Sequence, residues 1–482
     1  MTAIANERNG RAGVPNEKLK ELLEEVGWRP ESLARRVNAA IFAIRRENRQ
    51  IHHKTPYRWL NRGEVPHAPV PEVVVWLLAD ATGRDLTFDQ VWPGSAPRSS
   101  LLLPADHRLD LPWDAGGLLR LLEEWSHPML TRRTFMVVSG TTLTRHAWQW
   151  SQAPVPVLAS AAREGDRVTE PMLELVEDIA ARCRRLDERH GAAGAAFVAD
   201  QFACVSRLLR RSRYDARTGR RLTSALAQLA QTSGFMAFDS ARDGEAQRWY
   251  LTGLRAAHAA GDRALAASVL GLMSNQAMEI GETGDALQLA TAAQEAASQG
   301  PSTVRALIAA RSGLASAAAG DLATFQRLRA QTLDLLERAQ DRGEAAPDWA
   351  GYVTRTELDA IAGRGMVVLA GQMLTHRSRL LAEAEDLLRG RARTDPSGEP
   401  QRSAFRHGAW LGLAHAQAGD LDQAVAAARR AVDRLPGVTS ARSVGLLQRL
   451  GRELAHARRS PEVKSLLRDL ERRLPHAEPP GV

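Results

Sequence analysis

The residues with the clearest capacity for chemistry are cationic, and they crowd into one segment, Arg29 to Arg62. This segment holds nine lysines and arginines against two acidic residues, Glu31 and Glu47, which gives a net charge of +7. The whole chain of 482 residues carries +8, so the rest of the sequence is close to neutral. A lysine or arginine that neutralises a phosphate releases a condensed counterion. The segment therefore predicts a polyanionic partner.

Short amphipathic helices are predicted to position these charges. Asn16 is a candidate N-cap for a first helix, whose leucines recur at helical spacing before Gly27 ends it. Pro30 opens a second helix at a position where proline is tolerated. Arg62 and Gly63 close a third helix. The predicted elements are helices over 16–26, 30–38 and 54–60, a basic segment over 41–53, a fourth helix over 70–82 and a short element over 86–92.

The order of the first three helices is that of a helix-turn-helix domain, in which the third helix enters the major groove and the second braces it. Residues 27–38 (GWRPESLARRVN), 54–60 (KTPYRWL) and 63–66 (GEVP) resemble the Xre-type DNA-binding domains of actinobacterial regulators that end in tetratricopeptide repeats. Residues 241–274 resemble the repeat region of the same family. The chain departs from a minimal Xre domain in its longer connection between helices two and three. The resemblance implies binding to double-stranded DNA and a role in actinobacterial development or secondary metabolism.

The resemblance also implies roles for individual side chains. Trp59 is expected on the inward side of the third helix, and Trp28 is likewise expected in the core. The residues expected to reach base edges are His53, Lys54, Tyr57 and Arg58, and those suited to phosphate oxygens are Thr55, Arg62, Arg35 and Arg36. For every basic residue here, including Arg45, Arg46 and Arg49, the alternative is a solvated surface charge.

Beyond residue 221 the turn signals become regular, and two series of them alternate. Two interleaved turn series with small residues between them predict a stack of helical hairpins. The clearest unit runs from Leu411 through the Gly419-Asp420 pair to Pro436, and it resembles the tetratricopeptide repeat, with a HEAT-like solenoid as the competing interpretation. One series falls at 243–244, 284–285, 320–321, 363 and 419–420, and the other at 261–262, 300–301, 346–347, 398–400 and 436–437.

The concave groove of such an array is a common binding surface. Tyr250, Asn275, Gln276 and Arg311 are candidate ligand-binding residues, because they are polar or aromatic members of helices rich in small residues. Each is equally suited to ordinary packing or to the surface. The groove is predicted to accept a small-molecule, peptide or protein effector.

No sequence motif requires catalysis, a cofactor or a metal. We find no P-loop, no G-x-S-x-G, no H-E-x-x-H and no dinucleotide-binding fingerprint. His52 and His53 are adjacent, so their side chains point in different directions, and no second group of ligands is near in sequence. Cys183 and Cys204 share no metal-binding spacing and could form at most one bridge. The sequence therefore predicts a protein that is not an enzyme and has no cofactor or metal.

The sequence also favours a cytoplasmic protein without a membrane partner. It contains no uncharged stretch of the length needed to span a bilayer, and its N-terminus lacks the apolar run of a signal peptide. Residues 131–140 resemble a twin-arginine export signal, but such signals are recognised at the N-terminus. A linker or a buried helix start is the preferred interpretation of that segment.

These observations predict an all-α transcriptional regulator that binds specific DNA sequences. Its repeat array is expected to make it a homodimer, to sense a ligand, peptide or protein partner, or to do both. A non-catalytic tetratricopeptide scaffold for protein assembly is the main alternative, and an RNA-binding module is weaker because aromatic residues do not cluster for base stacking. The predicted organisation is a disordered tail over 1–15, a helix-turn-helix domain over 16–92, a linker over 93–113, a connecting helical segment over 114–220 and the repeat array over 221–475.

Overall fold

The computed structural model confirms the all-α fold class. It describes residues 15–45, 51–67, 70–82, 86, 88–93, 111–125, 139–158, 165–393, 401–435, 440–457 and 459–474. Within these ranges the only β-type pairing is one isolated parallel bridge between Arg167 and Arg213. The chain divides into two compact units, the first ending at Asp110 and the second beginning at Leu111. The predicted tail, most of the predicted linker and most of the twin-arginine-like segment lie outside the described residues.

The first unit is a small helical domain with its own core. Leu19, Leu33, Val37 and Trp59 are almost fully buried in one apolar cluster together with residues of the fourth helix. The second helix is longer than predicted, because no glycine or proline interrupts the run of helix-forming residues after Asn38. The helices are α1 Glu17–Glu25, α2 Pro30–Arg45, α3 Thr55–Arg62, α4 Val70–Thr82 and α5 Phe88–Val91.

The second unit is a solenoid-like array of helical hairpins. Five consecutive pairs, from α10 with α11 to α18 with α19, pack as hairpins. The predicted boundary at residue 221 falls inside α10, against which α8 and α9 also pack. The helices are α6 Ala115–Glu124, α7 Thr141–Gln152, α8 Glu170–His190, α9 Ala195–Arg211, α10 Ala216–Asp239, α11 Asp243–Ala260, α12 Arg263–Glu279, α13 Thr283–Ala297, α14 Ser302–Ala318, α15 Leu322–Asp341, α16 Arg355–Gln372, α17 Arg377–Ala392, α18 Gln401–Ala418, α19 Leu421–Arg434, α20 Ala441–Leu454 and α21 Pro461–Arg473.

The Gly-Asp pairs make the turns of this array, as the sequence predicted. Gly419 adopts a left-handed φ of 83°, which costs a glycine little and any other residue much. Asp420 then caps α19, because its side chain accepts a hydrogen bond from the backbone N–H of Gln423 at 3.1 Å. Gly261-Asp262 and Gly320-Asp321 repeat both features ahead of α12 and α15. The turn signals over 398–400 and 436–437 lie outside the described residues.

The turn predicted at Gly363 is wrong. Gly363 lies inside α16, where a Cβ atom would come within 2.8 Å of the Cγ of Leu388 on α17. This glycine therefore lets two helices approach closely and does not end one. The Gly284-Asp285 signal is also displaced, since the chain turns at Gly281 and Asp285 is already within α13.

The connecting segment packs on the outer helices of the first hairpins. The Trp125 indole stacks on Trp249 of α11 at 3.9 Å between ring centroids and donates a hydrogen bond to the Thr252 hydroxyl at 3.0 Å. Arg255 of α11 donates to the carbonyl oxygens of Leu111 and Pro112. These contacts make residues 111–125 part of the array unit.

One stretch of the described residues, Glu170–Arg211, passes a test of length and hydropathy for a membrane span. It is not one continuous helix, because a 3-10 turn over Gly191–Gly194 separates α8 from α9. Val198 and Phe202 of α9 are buried in the protein. The stretch is thus built from two separate helices of the second unit.

Candidate functional site

The α3 helix is held against the first unit by its inner side. Pro56 and Trp59 are buried, and the Trp59 ring meets the edge of Trp92 with 6.0 Å between centroids. Asn16 joins three elements, because its backbone N–H donates to the carbonyl of Leu60 at 2.8 Å and its side chain both caps α1 and donates to the carbonyl of Val91. This fixed inner side determines which residues of α3 reach solvent.

The outward side of this helix carries the residues that we name the α3 face: Lys54, Tyr57, Arg58 and Arg62. Helical spacing places positions three and four residues apart on one side, so these four side chains are neighbours. All four are exposed. His53 is exposed in the turn before the helix, and Thr55, in the first turn, is half-buried. The structure thus brings together the residues predicted at base edges, although His53 and Lys54 precede the helix instead of lying within it.

Acidic residues contact the α3 face. The Tyr57 hydroxyl donates to Glu31 at 2.7 Å; this hydrogen bond lowers the pKa of Glu31 and raises the pKa of Tyr57. Arg58 pairs with Glu64 at 2.8 Å, and Arg62 lies 4.0 Å from the same carboxylate. Ion pairs this exposed contribute little and exchange readily with other anions.

The two arginines predicted at phosphates on α2 are also exposed. The guanidinium of Arg36 lies 4.3 Å from the ring centroid of Trp28, a cation–π contact. Arg35 lines a shallow depression with Arg29, Glu31 and other residues near the start of α2. Arg46 and Arg49, and the side chain of Arg45, lie outside the described part of the chain.

Asn38 fixes the segment that leads into α3. Its side-chain amide donates to the carbonyl of Ile51 at 2.9 Å and accepts from the backbone N–H of Ile51 at 2.8 Å. Because both hydrogen bonds join one side chain to one residue, they set the position and direction of the chain as it returns from α2. The longer connection between α2 and α3 is therefore anchored close to the start of the α3 face.

The array encloses a second site, a cavity of about 390 Å³ that we call the central cavity. Its size is within the range of small-molecule sites. It is lined from the inner helices by Arg184, Asp187, Glu188, Gln231, Thr232, Phe235, Asp239, Leu272, Asn275, Leu307, Arg311, Tyr352, Thr354, Glu357, Ile361, Arg364, Arg391, Arg402, Ser403, Arg406, His407 and Ser443. Six arginines against four carboxylates give its wall a positive balance.

Several of these arginines are neutralised by acidic partners. Arg402 binds Asp187 at 2.9 Å and Asp239 at 3.2 Å, and the two carboxylates outweigh the effect of burial and raise its pKa. Arg406 pairs with Glu279 at 2.7 Å. Arg391 binds Glu357 at 2.8 Å.

The other arginines of the wall contact neutral oxygens or no partner. Arg311 donates to the carbonyl of Ser268 at 3.1 Å and to the hydroxyl of Tyr352 at 2.9 Å. Arg184 donates to the side chain of Gln228 and to the carbonyl of Asp348. Arg364 makes no hydrogen bond or ion pair with any residue that the structure describes, and its Nε atom is buried. Burial lowers the pKa of Arg364 to about 10.

His407 also lines the cavity and is 4% exposed. Its Nδ1 lies 2.8 Å from the carbonyl of Ser403, which makes Nδ1 the protonated nitrogen and leaves Nε2 unprotonated at neutral pH. Burial lowers the pKa of His407 to about 4. Burial also disfavours the Glu357 carboxylate, but protonated His407 together with the positive charges of Arg391 and Arg364 outweighs burial and lowers the pKa of Glu357.

The four predicted ligand residues separate in the structure. Asn275 and Arg311 line the central cavity. Tyr250 is fully buried against Gly234 and does not line it. Gln276 is also buried, and its amide donates to the backbone and side chain of Asp243. The sequence did not identify Arg364, Arg402, Arg406 and His407 as cavity residues. The signal that could have indicated them was the helical spacing of polar residues on the helices that line the cavity.

The described residues contain no group of three metal-ligating side chains. The rings of His52 and His53 lie 4.1 Å apart between centroids, tilted by 36°, and no third ligand among the described residues joins them.

Comparison with known proteins bears on the first unit. Residues 19–91 match the family model of the SP15 N-terminal domain. The match begins in α1 and ends at the last residue of α5, so it spans the core of this unit and the whole α3 face. No curated protein matches the chain.

Proposed function

We propose that the protein is a DNA-binding transcriptional regulator of the Xre type, with a helix-turn-helix domain in its first unit. The observation that carries this proposal is the α3 face, where Arg58 and Arg62 project from one short helix and Lys54 from the cap position just before it. Arg35 and Arg36 add exposed positive charge on α2. Arginine and lysine on such a helix can bind guanine in the major groove, while flanking cations bind phosphates. The partner in this proposal is duplex DNA.

The acidic contacts of the α3 face are compatible with this role. Glu64 holds Arg58 and Arg62 in the unbound protein, and an exposed ion pair of this kind is worth only about 0–1 kcal/mol. Phosphate or a guanine edge can replace it at small cost. Glu64→Gln should therefore tighten DNA binding, because it removes a negative charge that the DNA backbone would otherwise approach.

We propose that the tetratricopeptide-like array supplies dimerisation, effector sensing or both. A single helix-turn-helix domain makes a small interface with DNA, and pairing two of them across half-sites strengthens binding through symmetry. Light scattering of the full chain against a fragment of residues 1–110 tests this role. We expect a dimeric full chain and a monomeric fragment that binds a two-half-site duplex more weakly.

The proposed function is tested by selecting preferred sites from a random duplex pool with the purified full chain. The affinity for the selected site should fall by about 10³–10⁵-fold between 50 and 200 mM salt if the protein covers about 6–10 phosphates. Lys54→Ala with Arg58→Ala should abolish selection. Lys18→Ala is the matched control, because Lys18 is an equally exposed cation on α1 whose partner is Glu21.

A scaffold that assembles proteins through its array is the second candidate. The pairing of Arg58 and Arg62 with Glu64 favours it, because one carboxylate on the surface already offsets part of this positive charge. Under this alternative the random pool yields no preferred site, and the double variant binds DNA as the wild type does.

A further inference from the structure

The central cavity holds a positive charge that makes no direct ion pair with a described residue. Arg364 projects from α16 into the cavity wall, half-buried, without a hydrogen bond or an ion pair to the described residues. Glu357, two turns earlier on the same face of α16, is already bound to Arg391, and Glu279 is bound to Arg406. The nearby carboxylates are therefore committed to other arginines.

A guanidinium that has no ion pair in the wall of a cavity lowers the stability of the free protein. Taking a cation out of water is costly unless an anion and hydrogen bonds compensate it. Arg406 and Arg311 add positive charge around Arg364, and Glu279 and Glu357 act against it from a distance while each is ion-paired to another arginine. A cation kept at this cost in the wall of a cavity is a candidate contact for an anionic ligand.

The cavity wall also has an apolar part. Phe235, Leu272, Leu307 and Ile361 line it from four different inner helices. Burial of apolar ligand surface against such side chains contributes roughly 25 cal/mol per Å². A cavity of about 390 Å³ holds one small molecule and excludes a folded partner.

We propose that the central cavity binds a small organic anion, whose carboxylate, sulfonate or phosphate pairs with Arg364 and whose apolar body lies against Phe235, Leu272, Leu307 and Ile361. Arg311 lines the same cavity and can add a second donor once it exchanges its neutral partners. In the regulator proposed above, this anion is the effector, and that role rests on the proposed function. The binding of an anion in the cavity is independent of the proposed function.

The test uses two probes that differ by one charged group. 1-Anilinonaphthalene-8-sulfonate carries a sulfonate on an apolar body, and N-phenyl-1-naphthylamine is the same body without it. We expect the full chain to bind the sulfonate with one-to-one stoichiometry and more tightly than the neutral probe. Arg364→Met should weaken binding of the sulfonate by roughly 10- to 100-fold, the loss of one charge-assisted interaction, and leave the neutral probe unchanged.

Two further variants separate recognition from folding. Arg338→Met is the matched control, because Arg338 is an exposed arginine on α15 paired with Asp334, and it should change neither affinity. Without probe, the Arg364→Met variant should have a melting temperature no lower than that of the wild type, since the substitution removes a half-buried charge that has no ion pair with the described residues. If it unfolds, Arg364→Lys replaces it and should bind the sulfonate less tightly than the wild type does, because an ammonium lacks the planar fork.

Equal affinity of wild type and Arg364 variants for the sulfonate would overturn the inference, as would equal affinity of the wild type for both probes. The DNA arm is independent. If the probe binds through Arg364 but no duplex is selected, the anion site stands and the regulator proposal fails. If a duplex is selected but substitution of Arg364 does not change the affinity for the sulfonate, the regulator proposal stands and the anion site fails.

Discussion

Arg402 and Asp187 are 215 residues apart in sequence and form a two-point ion pair, with N–O distances of 3.0 and 2.9 Å. Arg402 also reaches Asp239 at 3.2 Å. Asp187 belongs to α8 and Asp239 to the end of α10, so one guanidinium on α18 ties the late helices of the array to the first. Ser440 donates to Asp239 at 2.7 Å and reinforces this closure.

Removing Arg402 should therefore open the array. Arg402→Ala leaves two buried carboxylates without their cation, which costs about 3–5 kcal/mol in the free energy of unfolding measured with urea. Adding Asp187→Asn and Asp239→Asn should recover much of that loss. Arg182→Ala removes an exposed arginine of α8 and should cost at most about 1 kcal/mol. Similar losses for Arg182 and Arg402 would show that the closure contributes nothing.

His407 should make the array sensitive to acid. The unfolded imidazole takes up a proton near pH 6.5 and the folded one near pH 4, because burial disfavours its charged form. Its contribution to stability is therefore complete above pH 6.5 and is lost as the pH falls from 6.5 towards 4. Glu357, Arg364 and Arg406 are the charged groups around it.

His407→Asn keeps an N–H donor for the carbonyl of Ser403 and removes the titration. Between pH 7 and pH 5 the wild type should lose about 2 kcal/mol more unfolding free energy than this variant. Urea unfolding at the two pH values measures the difference. Parallel pH dependence in both proteins would mean that His407 is protonated as easily in the fold as in water.

Two glycines of the array test the account of its packing. A Cβ on Gly234 would lie 2.6 Å from the ring of Tyr250, which is fully buried and has no room to move. Gly234→Ala should therefore cost about 1–3 kcal/mol. Gly445 in α20 has nothing within 4 Å of that position, so Gly445→Ala should stabilise by about 0.5–1 kcal/mol. Thermal unfolding of both variants checks the opposite signs.

The hairpins could be predicted from the sequence because their signals are local. Three of the Gly-Asp pairs, at 261–262, 320–321 and 419–420, combine a left-handed turn residue with the cap of the next helix, and both act within a few residues. Gly363 misled the prediction, since a glycine that permits a close helix contact looks the same in sequence as one that makes a turn. Only the facing Leu388 distinguishes the two.

The α3 face and the central cavity also differ in whether local sequence signals reveal them. The α3 face could be predicted, because Arg58 and Arg62 lie within one short amphipathic helix and Lys54 caps its start. The central cavity could not, because Arg364 and Arg402 meet the residues around them only after the array has closed. Ion pairs across some 200 residues leave no periodic signal. Asn275 and Arg311 were found by their polarity in small-residue helices, but the same reasoning selected the buried Gln276 and Tyr250.

The most direct test of DNA recognition compares Arg58→Ala with the wild type on the selected duplex and on random duplex, at one salt concentration. We predict a loss of about 1–3 kcal/mol on the selected duplex, relaxed preference at one base pair and a much smaller loss on random duplex, because Arg58 reads a base edge. Arg36→Ala should weaken both duplexes alike. Equal losses for Arg58→Ala on the two duplexes, or no loss on either, would contradict sequence recognition by the α3 face.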